Sequence, residues 1–220
     1  MKPPSARTTV KRLPERGRYD EATVQEILDQ AMICHVSFVN NDGAVVIPTI
    51  HARVGDILYL HGSPASRMLR SIVGEPVCVS ATIVDGIVAA RSLFHHSLNY
   101  RSVVVFGTAR VVDDPEERLT AFRAITEHML PGRWDEARTP SMKEDKGTKL
   151  LAITIDEASA KVRTGPPGDD DEDLSSEIWA GVIPLRTIAG PVVPSPDLTP
   201  GIDVPESVRR YGDARPGSEI

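Results

Sequence analysis

The chain has 220 residues, enough for one globular domain with a substantial buried core. With 40% hydrophobic and 25% charged residues it has a soluble composition, and a formal charge of −6 argues against general nucleic-acid binding, which needs a basic face. No apolar run nears the ~20 residues that span a bilayer, and the basic N-terminus lacks the apolar stretch of a secretory signal, so the reading is cytoplasmic with no membrane role.

Residues 1–19 read as a polar arm, 20–190 as the folded domain and 191–220 as a Pro-rich tail. Asp20 suits a helix cap, and Val24, Ile27, Leu28 and Met32 follow at helical spacing. Cys34 to Val39 then alternates as a strand, and Asn40-Asn41-Asp42-Gly43 is a hairpin turn. A second strand, Ala44 to Val54, contains Pro48, which requires an edge or a bulge. Gly55-Asp56 turns into a third strand, Ile57 to His61. Cys34 and Cys78 lie in apolar strand-like runs and read as buried free thiols.

A short helix is expected over Pro64 to Ile72, then a β-rich run from Pro76 to Val84 closed by Asp85-Gly86. Arg101 to Val112 is the longest strand candidate, and its Val103-Val104-Val105-Phe106 run reads as buried on both faces. Asp113-Asp114-Pro115 opens an amphipathic helix through Met129, with acids in its first turn. Lys149 to Ile155 and Ala160 to Thr164 read as further strands, and Gly168 to Asp173 as an acidic loop. About six antiparallel strands with peripheral helices predict a mainly β (α+β) Greek-key barrel.

The most informative segment runs from Val46 to Leu69. Ser63 suits the N-cap, Pro64 the first helical position, and Ser66 the first turn. Free backbone N–H groups there attract an anion, Arg67 adds a permanent charge, and Gly62 permits close approach. The same residues also suit an ordinary capped helix with a surface arginine. In a second segment, Ala90 to Val111, polar and aromatic groups crowd the start of an apolar strand. Asn99 and Ser102 suit bonds to ring heteroatoms, and Tyr100 suits stacking.

Taken in order, Tyr-x-His-Gly-Ser, the Ser-Arg helix and the Asn-Tyr-Arg-Ser-Val strand ending in glycine resemble a known family. It is the flavin-nucleotide-binding branch of the pyridoxamine 5′-phosphate oxidase-like proteins. Lys-Val-Arg-Thr-Gly-Pro-Pro at 161–167 and Trp-Ala-Gly-Val-Ile-Pro-Leu at 179–185 extend the likeness to residues 10–195. The resemblance implies a six-stranded antiparallel split β-barrel with FMN as cofactor, held between two subunits of a homodimer. Ser66-Arg67 would hold the FMN phosphate. Leu60, His61 and Gly62 would pass beside the ribityl chain, and the strand Ile47, Pro48, Thr49 and Ile50 would read the isoalloxazine edge. Arg101-Ser102 matches an Arg-Gln pair of the vitamin-making enzymes, with serine in place of glutamine. Trp179 would reach the partner's flavin or anchor the core or the dimer.

Departures narrow the activity. The Glu206 to Gly212 tail lacks the histidine with which those oxidases grip substrate phosphate, so pyridoxamine phosphate is not the expected substrate. His61-Gly62 resembles the strand end of nitroimidazole-resistance reductases, which implies electron transfer from reduced flavin to a small-molecule acceptor. No protein nucleophile or acid–base pair stands out, and catalytic residues are not assigned. His95-His96 points to opposite faces if it lies in a strand, and the hairpin register separates His51 from His61, so no metal site is expected. Three alternatives remain open: a haem-binding or haem-degrading barrel using His61 or His96, a non-enzymatic flavin-binding module, and a deazaflavin in place of FMN.

Overall fold

A computed structural model describes residues 2–41 and 43–211. The strands are β1 (Gly17–Arg18), β2 (Cys34–Asn40), β3 (Gly43–Thr49), β4 (His51–Val54) and β5 (Ile57–Gly62) in the first part of the chain. They continue as β6 (Pro76–Ala89), β7 (Ser97–Val111), β8 (Lys149–Thr154), β9 (Glu157–Arg163) and β10 (Gly181–Pro184). The helices are α1 (Glu21–Gln30), α2 (Arg67–Ser71), α3 (Pro115–Met129), α4 (Met142–Lys146) and α5 (Glu206–Arg209).

Every named ladder is antiparallel, in the order β3-β2-β6-β7-β8-β5-β4. The end strands β3 and β4 are consecutive, with only Ile50 between them, so the path returns to its start through the chain rather than through a ladder. That is a split barrel of six strands, counting β3 and β4 as one bent strand. The remaining strands extend it: β9 pairs β7, β1 pairs β9, and β10 pairs β6. The two- and four-residue strands β1 and β10 are too short to carry a periodicity.

β7 pairs β9 from Tyr100 to Phe106 and β8 from Ala109 to Val111. Gly107 stands where the two partners part. A Cβ there would lie 2.0 Å from the Thr154 carbonyl oxygen, so only glycine fits. The main core fills the space beside α1, where Val24, Ile27 and Leu28 pack with Val36, Leu60 and Val105. A second cluster joins Tyr59 and Leu150 to Ala121 and Ile125 of α3.

Several expectations shift. Asp85-Gly86 does not close a strand; β6 bulges between Val84 and Gly86 and runs on to Ala89. β7 begins at Ser97 rather than Arg101, and α2 covers Arg67–Ser71 rather than 64–72. The Val103 to Phe106 run is fully buried only at Val103 and Val105. Val104 and Phe106 are half-buried, and the Arg7 guanidinium of the N-terminal arm covers the Phe106 ring at 4.4 Å. Asp20 caps α1 as read, accepting from the Thr23 N–H at 2.9 Å, and both cysteines are free. Pro48 sits exposed on β3, an end strand of the ladder path.

Candidate functional site

The β4–β5 hairpin pairs His51 with Leu60, so one step further Ile50 meets His61. This register brings the end of β3, the end of β5 and the start of α2 to one corner. Ile47, Thr49 and Ile50 are half-buried there and Pro48 is exposed. Leu60 is buried in the core, while His61 and Gly62 are half-buried. The Nδ1 of His61 is buried without a hydrogen-bond partner, and desolvation holds its pKa below the ordinary histidine value. That favours a neutral imidazole with a lone pair to offer.

Ser66, not Ser63, is the N-cap of α2: its hydroxyl accepts from the Leu69 N–H at 3.4 Å. Ser63 lies upstream and accepts from the Ala65 N–H at 3.1 Å. Pro64 therefore precedes the helix instead of opening it. Ser63 and Arg67 are exposed, and no acidic residue occurs between Ile57 and Gly74, while Arg67 and Arg70 both do. The corner thus carries positive charge suited to an anion. At Gly62 an added Cβ would come within 3.0 Å of Leu69 Cδ1, so the missing side chain lets α2 close onto β5.

The second group lies elsewhere in the chain. Tyr100 pairs with Arg163 near the start of β7, whereas the chain just after α2 bridges to Ala109 near its end. Asn99 is buried and engaged on both sides of its amide, accepting from the Arg163 guanidinium and donating to the Gly165 carbonyl at 3.1 Å. Tyr100 is half-buried. Arg101 forks onto Asp85, with Nε–Oδ2 3.0 Å and Nη2–Oδ1 2.8 Å, and also bonds Gln30. Ser102 donates to the Lys161 carbonyl at 3.3 Å. Trp179 is 67% exposed, with its ring lying against Gly181.

The residues missed by sequence reading are those that hold this second group. Asp85 looked like a turn residue but sits on the β6 bulge facing Arg101. Arg163 looked like part of a strand end, yet it is a buried guanidinium bonded to Asn99 and to the carbonyls of Gly165 and Pro166. Its signal was the Lys-Val-Arg-Thr-Gly-Pro-Pro segment, which extended the family likeness without giving Arg163 a role. Among the described residues no group of three or more histidine, cysteine or carboxylate side chains could hold a metal ion, and no helix is long and apolar enough to cross a membrane.

The family model described as pyridoxamine 5′-phosphate oxidase matches residues 20–162. Among solved structures, the flavocytochrome Anf3 from Azotobacter vinelandii is 38% identical, covers 96% of this chain and 98% of its own, and has a TM-score of 0.90. An FAD and heme binding protein from Mycobacterium smegmatis is also 38% identical, over 88% of this chain and 96% of its own, with a TM-score of 0.84. A protein assigned to 5-nitroimidazole antibiotic resistance in Bacteroides thetaiotaomicron shares the fold at 22% identity, over 66% of this chain and 87% of its own, with a TM-score of 0.55. No curated protein matches.

Proposed function

Because the chain belongs to the pyridoxamine 5′-phosphate oxidase family, we propose that it is a flavin-binding oxidoreductase that passes electrons to a small-molecule acceptor. What supports this most directly is the anion-suited corner of Ser63, Ser66 and Arg67, on a chain 38% identical to a flavocytochrome over 96% of its length. The flavin is FMN, or FAD bound through the same phosphate and ring. Arg67 would hold the phosphate as a charge-assisted donor, and the β3 backbone from Ile47 to Ile50 would flank the ring. A bound flavin supplies hydride and single-electron transfer; the protein supplies position and electrostatics.

The protein acts as a homodimer in this reading. The chain just after the Ser66-Arg67 helix bridges to Ala109 near the end of β7 while Arg101-Ser102 lie nearer its start, which supports a flavin that touches one group from each of two copies. Exposed Leu93, Ile178 and Trp179 offer apolar surface for that contact. Sedimentation across a dilution series, with and without flavin, tests it. A monomer holding flavin at full stoichiometry would overturn the shared site.

A second reading adds haem. It is favoured by the orphaned His61 Nδ1, a neutral donor suited to a metal ion, and by the haem named for the Mycobacterium smegmatis neighbour. One absorbance spectrum of the purified protein, followed by chromatography of the released cofactor, separates these cases. Flavin bands are expected, and a Soret band would add haem. Protein that takes up neither FMN nor FAD on reconstitution would sink the flavin reading.

A further inference from the structure

A cleft of about 600 Å³ opens between the N-terminal arm and the segment around His95. Four arginines line it, Arg12, Arg16, Arg18 and Arg163, against one carboxylate, Glu15. Glu15 reaches only Arg16, at 3.9 Å, and Arg18 bonds the carbonyls of Glu15 and Gly17. Arg163 is 8% exposed and meets no carboxylate; its bonds go to Asn99 and backbone carbonyls. Burial and the charge of Arg16 push its pKa down, as expected for a guanidinium lacking a counter-charge. Of the acids that follow Gly168, Asp169 is engaged with Arg91 and Asp170 with His95.

The apolar part of the lining is Leu13, Phe94, Val162 and Pro166. The Phe94 side chain stands 87% exposed. Leu13, at φ 56°, is the one non-glycine residue with a positive φ among the described residues, so this turn of the arm is held in a strained form. Lys161 fixes the arm by donating to the Arg12 carbonyl at 3.0 Å.

We propose that this cleft binds the diphosphate of a nucleotide, with the phosphates among Arg12, Arg16 and Arg18 and the base against Phe94. Guanidiniums fork onto phosphate oxygens, and an exposed aromatic ring stacks on any base. The volume is within the range of small-ligand sites. The same adenosine diphosphate chemistry belongs to FAD and to a nicotinamide dinucleotide donor. The inference does not rest on the flavin reading, because the cleft contains none of the residues assigned to it.

The test is calorimetric titration of the FMN-loaded protein, and of the protein without flavin, with ADP, pyrophosphate and adenosine. ADP and pyrophosphate are expected to bind and weaken with salt, and adenosine to bind at least about tenfold less tightly. The double variant R12Q/R16Q is expected to lose about tenfold in ADP affinity, and Phe94→Ala to weaken ADP but not pyrophosphate. FMN affinity is expected to stay unchanged in both. ADP binding abolished by FAD loading assigns the cleft to FAD itself; ADP bound to the FAD form and displaced by NADPH assigns it to the donor. Absence of ADP binding, equal affinity for adenosine, or indifference to R12Q/R16Q overturns the proposal.

Discussion

The His51 and His128 rings meet at a tilt with centroids 4.9 Å apart, and both donate to carbonyls at the end of α1. The His51 Nε2 lies 2.9 Å from the Leu28 oxygen, and the His128 Nε2 2.9 Å from the Ala31 oxygen. A helix leaves its last carbonyls unpaired, and this histidine pair satisfies two at that end. The arrangement ties α1 to β4 and α3.

Burying His51 makes stability depend on pH. Burial, then the nearby His128, pushes the His51 pKa from 6.5 down to about 4. The unfolded chain therefore takes up the proton first as pH falls. Stability is full above about 6.5, is lost between 6.5 and 4, and is level below, a loss of about 3 kcal/mol from His51 alone. Urea unfolding of the flavin-free protein at several pH values measures this. The His51→Gln variant, compared with wild type, should show a shallower slope over that window; an identical slope would refute the assignment.

Gly107→Ala should destabilise the fold by roughly 1–3 kcal/mol or more, because the methyl group meets backbone rather than a movable side chain. The Thr154 carbonyl is in the way, so β8 or β7 must shift where they diverge. Gly55→Ala makes a useful contrast. Its Cβ would meet nothing within 4 Å, and its cost comes only from a φ of 56°. Thermal unfolding of both variants should rank Gly107→Ala as the worse.

Strand and helix periodicity was legible wherever one face was buried and one was not. The alternation from Cys34 to Val39 appears directly as the burial of Cys34, Val36 and Phe38. What stayed hidden was decided by contacts distant in sequence. Asp85-Gly86 has turn composition, yet Arg101 draws Asp85 onto a bulge and β10 covers the strand beyond. Val103 to Phe106 looked two-sided because the arm that covers Phe106 lies about a hundred residues away. In the candidate corner, residue types marked the anion-suited turn, but Ser63 and Ser66 both have capping chemistry, and the backbone chose Ser66 by turning Ser63 onto the Ala65 N–H instead.

Arg67→Ala should weaken flavin binding by roughly 2–3 kcal/mol, through loss of a charge-assisted phosphate contact, with little change in stability. Ser66→Ala should behave differently. It removes about 1 kcal/mol of flavin affinity and also a helix cap, a further cost of roughly 0.5–2 kcal/mol in stability. Fluorescence titration and unfolding on both variants separate the two effects. Unchanged flavin affinity in Arg67→Ala would take that residue out of the site.

Arg101 decides whether the start of β7 belongs to the flavin or to the fold. Its guanidinium is forked on Asp85 and bonded to Gln30, with Glu26 3.8 Å away, so it ties α1 and the β6 bulge to β7. Both partners of the main pair are about one-fifth exposed. Removing Arg101 leaves the Asp85 carboxylate without its cation, and removing Asp85 leaves Arg101 only Gln30 and the more distant Glu26, so Arg101→Ala and Asp85→Ala should each cost roughly 1–3 kcal/mol of stability. The double variant should cost less than the sum, because the second change removes the orphaned partner. If the network is purely structural, the flavin dissociation constant at temperatures well below unfolding stays unchanged in Asp85→Ala and Arg101→Ala alike. If Arg101 also reaches a flavin held by a second copy of the chain, Arg101→Ala weakens binding while Asp85→Ala, which keeps the guanidinium, does not.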